Sequence, residues 1–350
     1  SFADLKNLAK QATVESRLVW QENEQWNLKH GPFKRVPSSK TPDWTLLVQS
    51  VDLHHEAVAE LARQFRFIPD ARFDDVMISI ASMGGGVGPH FDTYDVFLFQ
   101  AQGQRKWRIS QNTDMSLVPG LPCKILENFN VEEEFVLNPG DMLYLPPHAA
   151  HDGISMSDDC MTMSFGFRTL TLANLARGLL EAAADQVSAN AGLDAGIYAE
   201  PVLKGINLSD TYKDKAQKPT KTPAAIPELM IKAALDSVQK VKFTEALAAR
   251  FIGCWLSEPN QLAEFHMPED ELDWTDFNPE GELVLDLNTR MLYHAKELYI
   301  NGEALDIHHA LLQELANQRR LSVKKALKAP EQVQDRLLEW IDDGWLHYRG

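Results

Sequence analysis

His90, Asp92 and His151 are residues whose types and spacing could hold a catalytic metal. His90 and Asp92 stand two apart at the end of Gly-Gly-Gly-Val-Gly-Pro-His-Phe-Asp, so on an extended backbone both side chains point to one side. A third ligand must then come from another strand. Pro139-Gly140-Asp141 signals a turn and Met142 to Leu145 a short strand, which Pro146-Pro147 ends just before His151. His151 is therefore expected at a strand end facing the first pair. Two imidazoles and one carboxylate on one face of a metal leave its opposite face open, the donor set of non-haem Fe(II) oxygenases. With eleven His in the chain, a lone His-x-Asp carries little weight. The glycine-rich approach and the second turn-strand-turn-His unit give the pattern its meaning.

A second charged residue belongs with this set. Val96 to Gln100 and Arg105 to Ile109 read as two strands of a hairpin closed around Gly103, with Arg105, Trp107 and Ile109 on one face of the second. Trp107 and Ile109 seek the interior and carry Arg105 with them; the opposite choice would bury both Lys106 and Arg108. A buried guanidinium is costly unless it meets an anion, and a dicarboxylate ligand would supply one. On the strand from Cys160 to Arg168, Thr162 and Ser164 alternate with Met163 and Phe165, so small polar groups can face the site and leave room for a ligand.

These residues together carry a family resemblance. The stretch from Gly84 through His90, Asp92, Tyr94 and Asp95, the strand Gln-Arg105-Lys-Trp107-Arg, the run Pro139 to Pro147, His151 and Ser164-Phe-Gly-Phe-Arg168 resemble the JmjC branch of the 2-oxoglutarate oxygenases. Closer still is the likeness to the bacterial ribosomal oxygenases, arginine hydroxylases of protein sixteen of the large ribosomal subunit. The resemblance implies a double-stranded β-helix (cupin or JmjC jelly roll), Fe(II) on His90, Asp92 and His151, and 2-oxoglutarate and dioxygen as co-substrates. It also implies that Arg105, fifteen residues after the first metal His, binds the distal carboxylate of 2-oxoglutarate; Thr162, by its place on the alternating strand, is the second expected contact of that co-substrate. An arginine brought to the iron would need an anion and a flat or polar lining. Asp75 opens a strand on whose face Met77, Ser79 and Ala81 lie, and Tyr94 shares the face of His90 and Asp92. Asp75, Tyr94 and Ser164 are the expected substrate contacts, Asp75 being the anion; after a one-residue register shift Asp74 or Asp95 would take its place. The Tyr-Trp-x-Lys-x-Pro opening usual near the start of such chains is absent before Ser1, and a trimmed start is expected.

The elements that must position these residues suggest an α+β chain in three parts. Residues 1–169 form the catalytic β-helix, with Thr45 to Gln49 and Val76 to Ala81 as early strands. A helical dimerisation region is expected over 170–250, with one helix from Leu170 to Val187, a polar stretch from Gly205 to Pro227, and a second helix from Pro227 to Phe251. Leu229, Ile231, Leu235, Val238 and Val241 would form the apolar face of that second helix. Residues 251–350 read as a winged-helix-like domain: strands at Leu283 to Leu287, Met291 to His294 and Glu297 to Ile300, a tight turn at Asn301-Gly302, and helices at His308 to Gln318 and Pro330 to Asp342.

Composition narrows the partners. With 350 residues, 44% of them hydrophobic, the chain can bury one large core and a smaller one. No apolar run reaches the length of a membrane span, no basic-then-apolar leader opens the chain, and three irregularly spaced cysteines fit neither a disulfide framework nor a zinc cluster. A cytoplasmic homodimer is expected, without membrane attachment. The net charge of −16 would repel nucleic acid and draw in a basic protein, or serve solubility alone; the resemblance implies a large-subunit ribosomal protein as the basic partner. Residues 246–350 hold ten basic against nineteen acidic side chains, so this winged helix is not expected to bind DNA directly. The alternatives left open are a JmjC hydroxylase of an Asn or His in another protein, or a metal-binding cupin that is not an oxygenase.

Overall fold

The computed structural model describes residues 1–350 apart from 24, 112, 204–207, 209, 210, 214–217, 220 and 271. Two compact units divide the chain, Ser1–Thr169 and Leu170–Gly350.

In the first unit ten strands form two sheets. They are β1 (Ser16–Glu22), β2 (Gln25–His30), β3 (Trp44–Val48), β4 (Phe73–Ala81), β5 (Asp95–Gln102), β6 (Arg105–Ser110), β7 (Glu133–Leu137), β8 (Met142–Leu145), β9 (Ala150–Ser155) and β10 (Cys160–Phe167). The large sheet runs β2-β1-β3-β4-β10-β5-β8 and the small one β7-β6-β9. From β5 to β10 the chain crosses between the sheets at β5–β6, β7–β8, β8–β9 and β9–β10, with β6 and β7 consecutive in the small one, which is the double-stranded β-helix. Side chains of both sheets meet inside it: Val96, Leu98 and Leu145 from the large sheet pack with Trp107 and Leu137 from the small one.

Strand alternation sorts the rest. Val76, Ile78 and Ile80 of β4 and Met161, Phe165 and Phe167 of β10 turn outward, into a core shared with Leu5 of helix α1 (Phe2–Leu8) and Val58 of α2 (Glu56–Ala62). By the two-residue period, Asp75, Met77 and Ser79 and, opposite them, Thr162 and Ser164 turn inward. On β4 and β10 the outer face thus supplies the apolar burial, and the inner face is left for polar groups.

One expectation is corrected here. Val96–Gln100 and Arg105–Ile109 do not pair as a hairpin: β5 lies between β10 and β8, while β6 lies between β7 and β9. Gly103, with φ of +64°, passes the chain from one sheet to the other, where a Cβ would collide with Ser157, Asp159 and Cys160.

The second unit begins with α3 (Leu172–Asn190), α4 (Glu228–Gln239) and α5 (Glu245–Ser257). The single helix expected from Pro227 to Phe251 is therefore two. Val241, Phe243 and Thr244 are poor helix formers, and the Thr244 hydroxyl accepts the Leu247 N–H to cap a new helix. Val241, expected on the α4 face, lies in the break and packs against the core cluster that holds Leu247 and Phe251. Part of the polar stretch from Gly205 to Pro227 lies outside the described residues. Then follow β11 (Glu282–Leu285), β12 (Met291–His294), β13 (Glu297–Ile300), β14 (Glu303–Leu305), α6 (Ala310–Gln318), β15 (Arg320–Ser322), α7 (Val323–Ala326), α8 (Glu331–Asp342) and β16 (Leu346–Arg349). Trp340, Leu283, Leu315 and Leu337 centre their core. Among the described residues no helix is long and apolar enough to cross a membrane.

Candidate active site

His90 and His151 exchange backbone hydrogen bonds of 2.9 and 2.8 Å, which sets their ring centroids 4.2 Å apart. Each ring places Nδ1 at 2.8 Å from the carbonyl two residues earlier, Gly88 for His90 and Ala149 for His151. A carbonyl only accepts, so the hydrogen-bond network assigns the proton to Nδ1 and leaves a lone pair on Nε2. The Asp92 Oδ2 lies 3.8 Å from Nε2 of His151, and ligand atoms of the three residues all fall within 4.8 Å of one another. His148, in a left-handed conformation at φ +65°, donates its N–H to the Asp92 carbonyl at 2.7 Å and so fixes that ligand's backbone.

Electrostatics suit a cation. Burial, then repulsion from His90, pushes His151 down to about 3, so its imidazole is neutral and available to bind a metal. Burial raises the Asp92 carboxyl, opposed by His90 and by a hydrogen bond from Tyr94. Burial and then the neighbouring carboxylates Asp92, Asp75 and Asp74 raise the Tyr94 hydroxyl, which stays a neutral donor. Two imidazoles and one half-buried carboxylate form a donor set matched to a divalent transition metal.

Arg105 lies in the interior as expected, only 4% exposed. Its Nη1 donates to the Gly153 carbonyl at 3.3 Å and its guanidinium sits 5.8 Å from the Trp107 ring. Nε and Nη2 are buried with no hydrogen-bond partner among the described residues. The strand that carries it is held in register on β9 by Arg108, whose Nε donates to the buried Asp152 at 3.0 Å. In that register Arg105 faces Ser155 and Ile109 faces His151, so cation and metal ligand come from the same strand pair. Across β10, the Thr162 hydroxyl donates to Gln100 Oε1 at 3.0 Å, and Ser164 is buried opposite Met77 and Leu98.

Asp75 lies beside Tyr94: both reach the space over Gly166. Its Oδ2 accepts from Ser50 N at 2.8 Å, Ser50 Oγ at 3.1 Å and Gln49 Nε2 at 3.3 Å, and Gln49 in turn accepts from Arg17 at 3.0 Å. The other two carboxylates are engaged elsewhere, Asp74 with Arg168 and Asp95 with Arg72 and Tyr144. Sequence reasoning missed Arg17, Gln49 and Ser50. A charge directly before the apolar run Leu18-Val19-Trp20 was a usable signal for Arg17; nothing local marked the other two. The loop after β6 was also unforeseen: the Leu126 N–H bonds to the Pro89 carbonyl at 2.8 Å, and Ile125 and Trp26 close over Gly88, where a Cβ would not fit.

A double-stranded β-helix with a His-x-Asp…His cluster on its inner wall defines the 2-His-1-carboxylate oxygenase class. The JmjC domain matches residues 60–175 and a ROXA-like winged helix matches 237–347. The chain is 31% identical to the ribosomal protein uL16 3-hydroxylase of Escherichia coli over 99% of its own length and 90% of that protein's. It is 30% identical to a probable ribosomal oxygenase of Haemophilus influenzae, covering 98% and 88%. Among solved structures, E. coli YcfD superposes with a TM-score of 0.81 at 28% identity, covering all of this chain and 91% of that one. YcfD has also been solved with cobalt and 2-oxoglutarate, with a TM-score of 0.78 at 27% identity, again covering all of this chain and 91% of that one. The chain belongs to the JmjC ribosomal oxygenases.

Proposed function

We propose that the protein is an Fe(II)- and 2-oxoglutarate-dependent hydroxylase of an arginine side chain in a large-subunit ribosomal protein. Arg105 is the observation that carries this reading: a buried guanidinium with two unpartnered nitrogens, in the strand pair that carries a metal ligand, fits a carboxylate. His90, Asp92 and His151 would hold the metal. When bound, Fe(II) supplies the oxidative decarboxylation of 2-oxoglutarate that delivers one oxygen atom to a C–H bond. The chain's own groups bind and orient. The Nε and Nη2 of Arg105 take the distal carboxylate, and Thr162 lines that end. Asp75 holds a cationic side chain, Tyr94 offers its ring and a neutral hydroxyl, and Ser164 adds a small polar wall. Apolar residues of the barrel interior, Val96, Leu98 and Trp107, exclude water from below.

The near-full-length likeness to a uL16 hydroxylase supports a ribosomal substrate, and the acidic charge supports a basic one. We infer a homodimer joined through the helices of residues 170–250, acting in the cytoplasm where its substrate is made. Protein incubated with Fe(II), 2-oxoglutarate and recombinant uL16 should add one oxygen atom to an arginine, read by mass spectrometry. His90→Ala, Asp92→Ala and His151→Ala should each lose this while keeping the fold. Full turnover by Asp92→Ala would sink the metal assignment, and hydroxylation confined to another residue type would sink the arginine.

A further inference from the structure

Gly166 is the penultimate residue of β10, and neither its backbone conformation nor its packing accounts for a glycine there. Its φ is outside the left-handed region, so the backbone does not require it, even though the register of β10 on β4 shifts between Phe165 and Phe167. Nor does packing. A Cβ would meet Tyr94 Cε2 at 3.6 Å, Asp75 Oδ1 at 3.7 Å and the Asp75 carbonyl at 3.8 Å, all ordinary contacts. Gly153 is different: its Cβ would stand 2.7 Å from the Trp107 ring. A glycine inside a strand weakens it, and one without a conformational or packing cause marks a place where a ligand approaches closely. The atoms nearest to it belong to Asp75 and Tyr94.

We propose that Gly166 is a specificity-determining residue, the floor of the slot in which Asp75 and Tyr94 take the substrate's side chain. The inference rests on the reading of that slot as an arginine site. A guanidinium is flat, pairs through its edge with a carboxylate and stacks by its face on an aromatic ring. Both partners are present at the sides of the floor, and a methyl group standing between them fills the depth the planar tip needs. The three donors gathered on Asp75 Oδ2 keep that wall in place.

Gly166→Ala tests this with Asp75→Asn beside it. Binding of recombinant uL16 is measured by calorimetry with Mn(II) and 2-oxoglutarate present, together with the thermal midpoint and the affinity for 2-oxoglutarate. The alanine variant is expected to melt at or slightly above the parent temperature, to bind 2-oxoglutarate normally, and to lose roughly tenfold or more in affinity for uL16. Parent-level uL16 binding would overturn the assignment, as would a midpoint that falls in step with binding. Should Asp75→Asn weaken uL16 binding while Gly166→Ala does not, the glycine's role fails and the slot stands. If neither variant weakens it, the slot reading itself fails.

Discussion

Replacing Arg105 separates a ligand-binding charge from a structural one. As a structural element the side chain is poor, since two of its nitrogens are buried without partners and an apolar side chain of similar length would be at least as stable there. Arg105→Met should therefore keep or raise the thermal midpoint. Its affinity for 2-oxoglutarate should fall by roughly ten- to a hundredfold, the equivalent of about 1.5–3 kcal/mol for a charge-assisted hydrogen bond. Arg105→Lys should lose less, keeping the charge without the fork. An unchanged 2-oxoglutarate affinity in Arg105→Met, measured by titration, would place the co-substrate elsewhere. At this scale much was legible. His90, Asp92, His151 and Arg105 follow from two-residue alternation and turn signals within short stretches. Gln49 and Ser50 were not, because their place beside Asp75 depends on how β3 and β4 align across a long sequence separation.

Element by element, strands were easier to find than to pair. Gly103 looks like a hairpin turn because local sequence records only that the chain bends; whether the next strand pairs or crosses to the other sheet is decided by the facing side chains. Here Arg108 on the buried Asp152, and Gly153 making room for Trp107, hold β6 on β9 instead of β5. The winged-helix unit shows a similar device with a pH consequence. Asp286, just after β11, accepts from His347 of β16 at 2.8 Å and from the Asn288 backbone at 2.8 Å. Burial pushes its carboxyl up, but the bonds from His347 and Asn288 outweigh this and hold it below the ordinary carboxylate range. A folded pKa below the unfolded value of about 4 means that the stabilisation is complete above that pH and is lost as the pH falls through the folded value. The midpoint of the parent should thus drop, as the pH falls below about 4, more than that of Asp286→Asn, which is already weakened at neutral pH by roughly 1–3 kcal/mol. Melting curves of the two that run parallel down to pH 3 would remove Asp286 from the acid response.

For the whole molecule, charge and an uncovered helix bear on assembly. All twelve residues of α4 escape burial, and Leu229, Leu235 and Val238 are 52%, 62% and 67% exposed. A helix of that length is marginal in water on its own, so an apolar face left open within one chain calls for a partner. A second copy, as proposed, would meet the need by two-fold symmetry, each helix offering the same face. The sequence showed this face through its periodicity but ran two helices into one, because tertiary capping at Thr244 decides where α4 stops. Pairing would also double the negative charge presented to a basic substrate and raise its rate of encounter at low salt. Leu235→Glu combined with Val238→Glu should then give monomers at micromolar concentration in sedimentation. The double variant should lose more activity on intact uL16 than on a short arginine peptide, whose capture depends less on the long-range field. A parent protein that sediments as a monomer would refute the dimer and leave the charge of one chain as the only steering field.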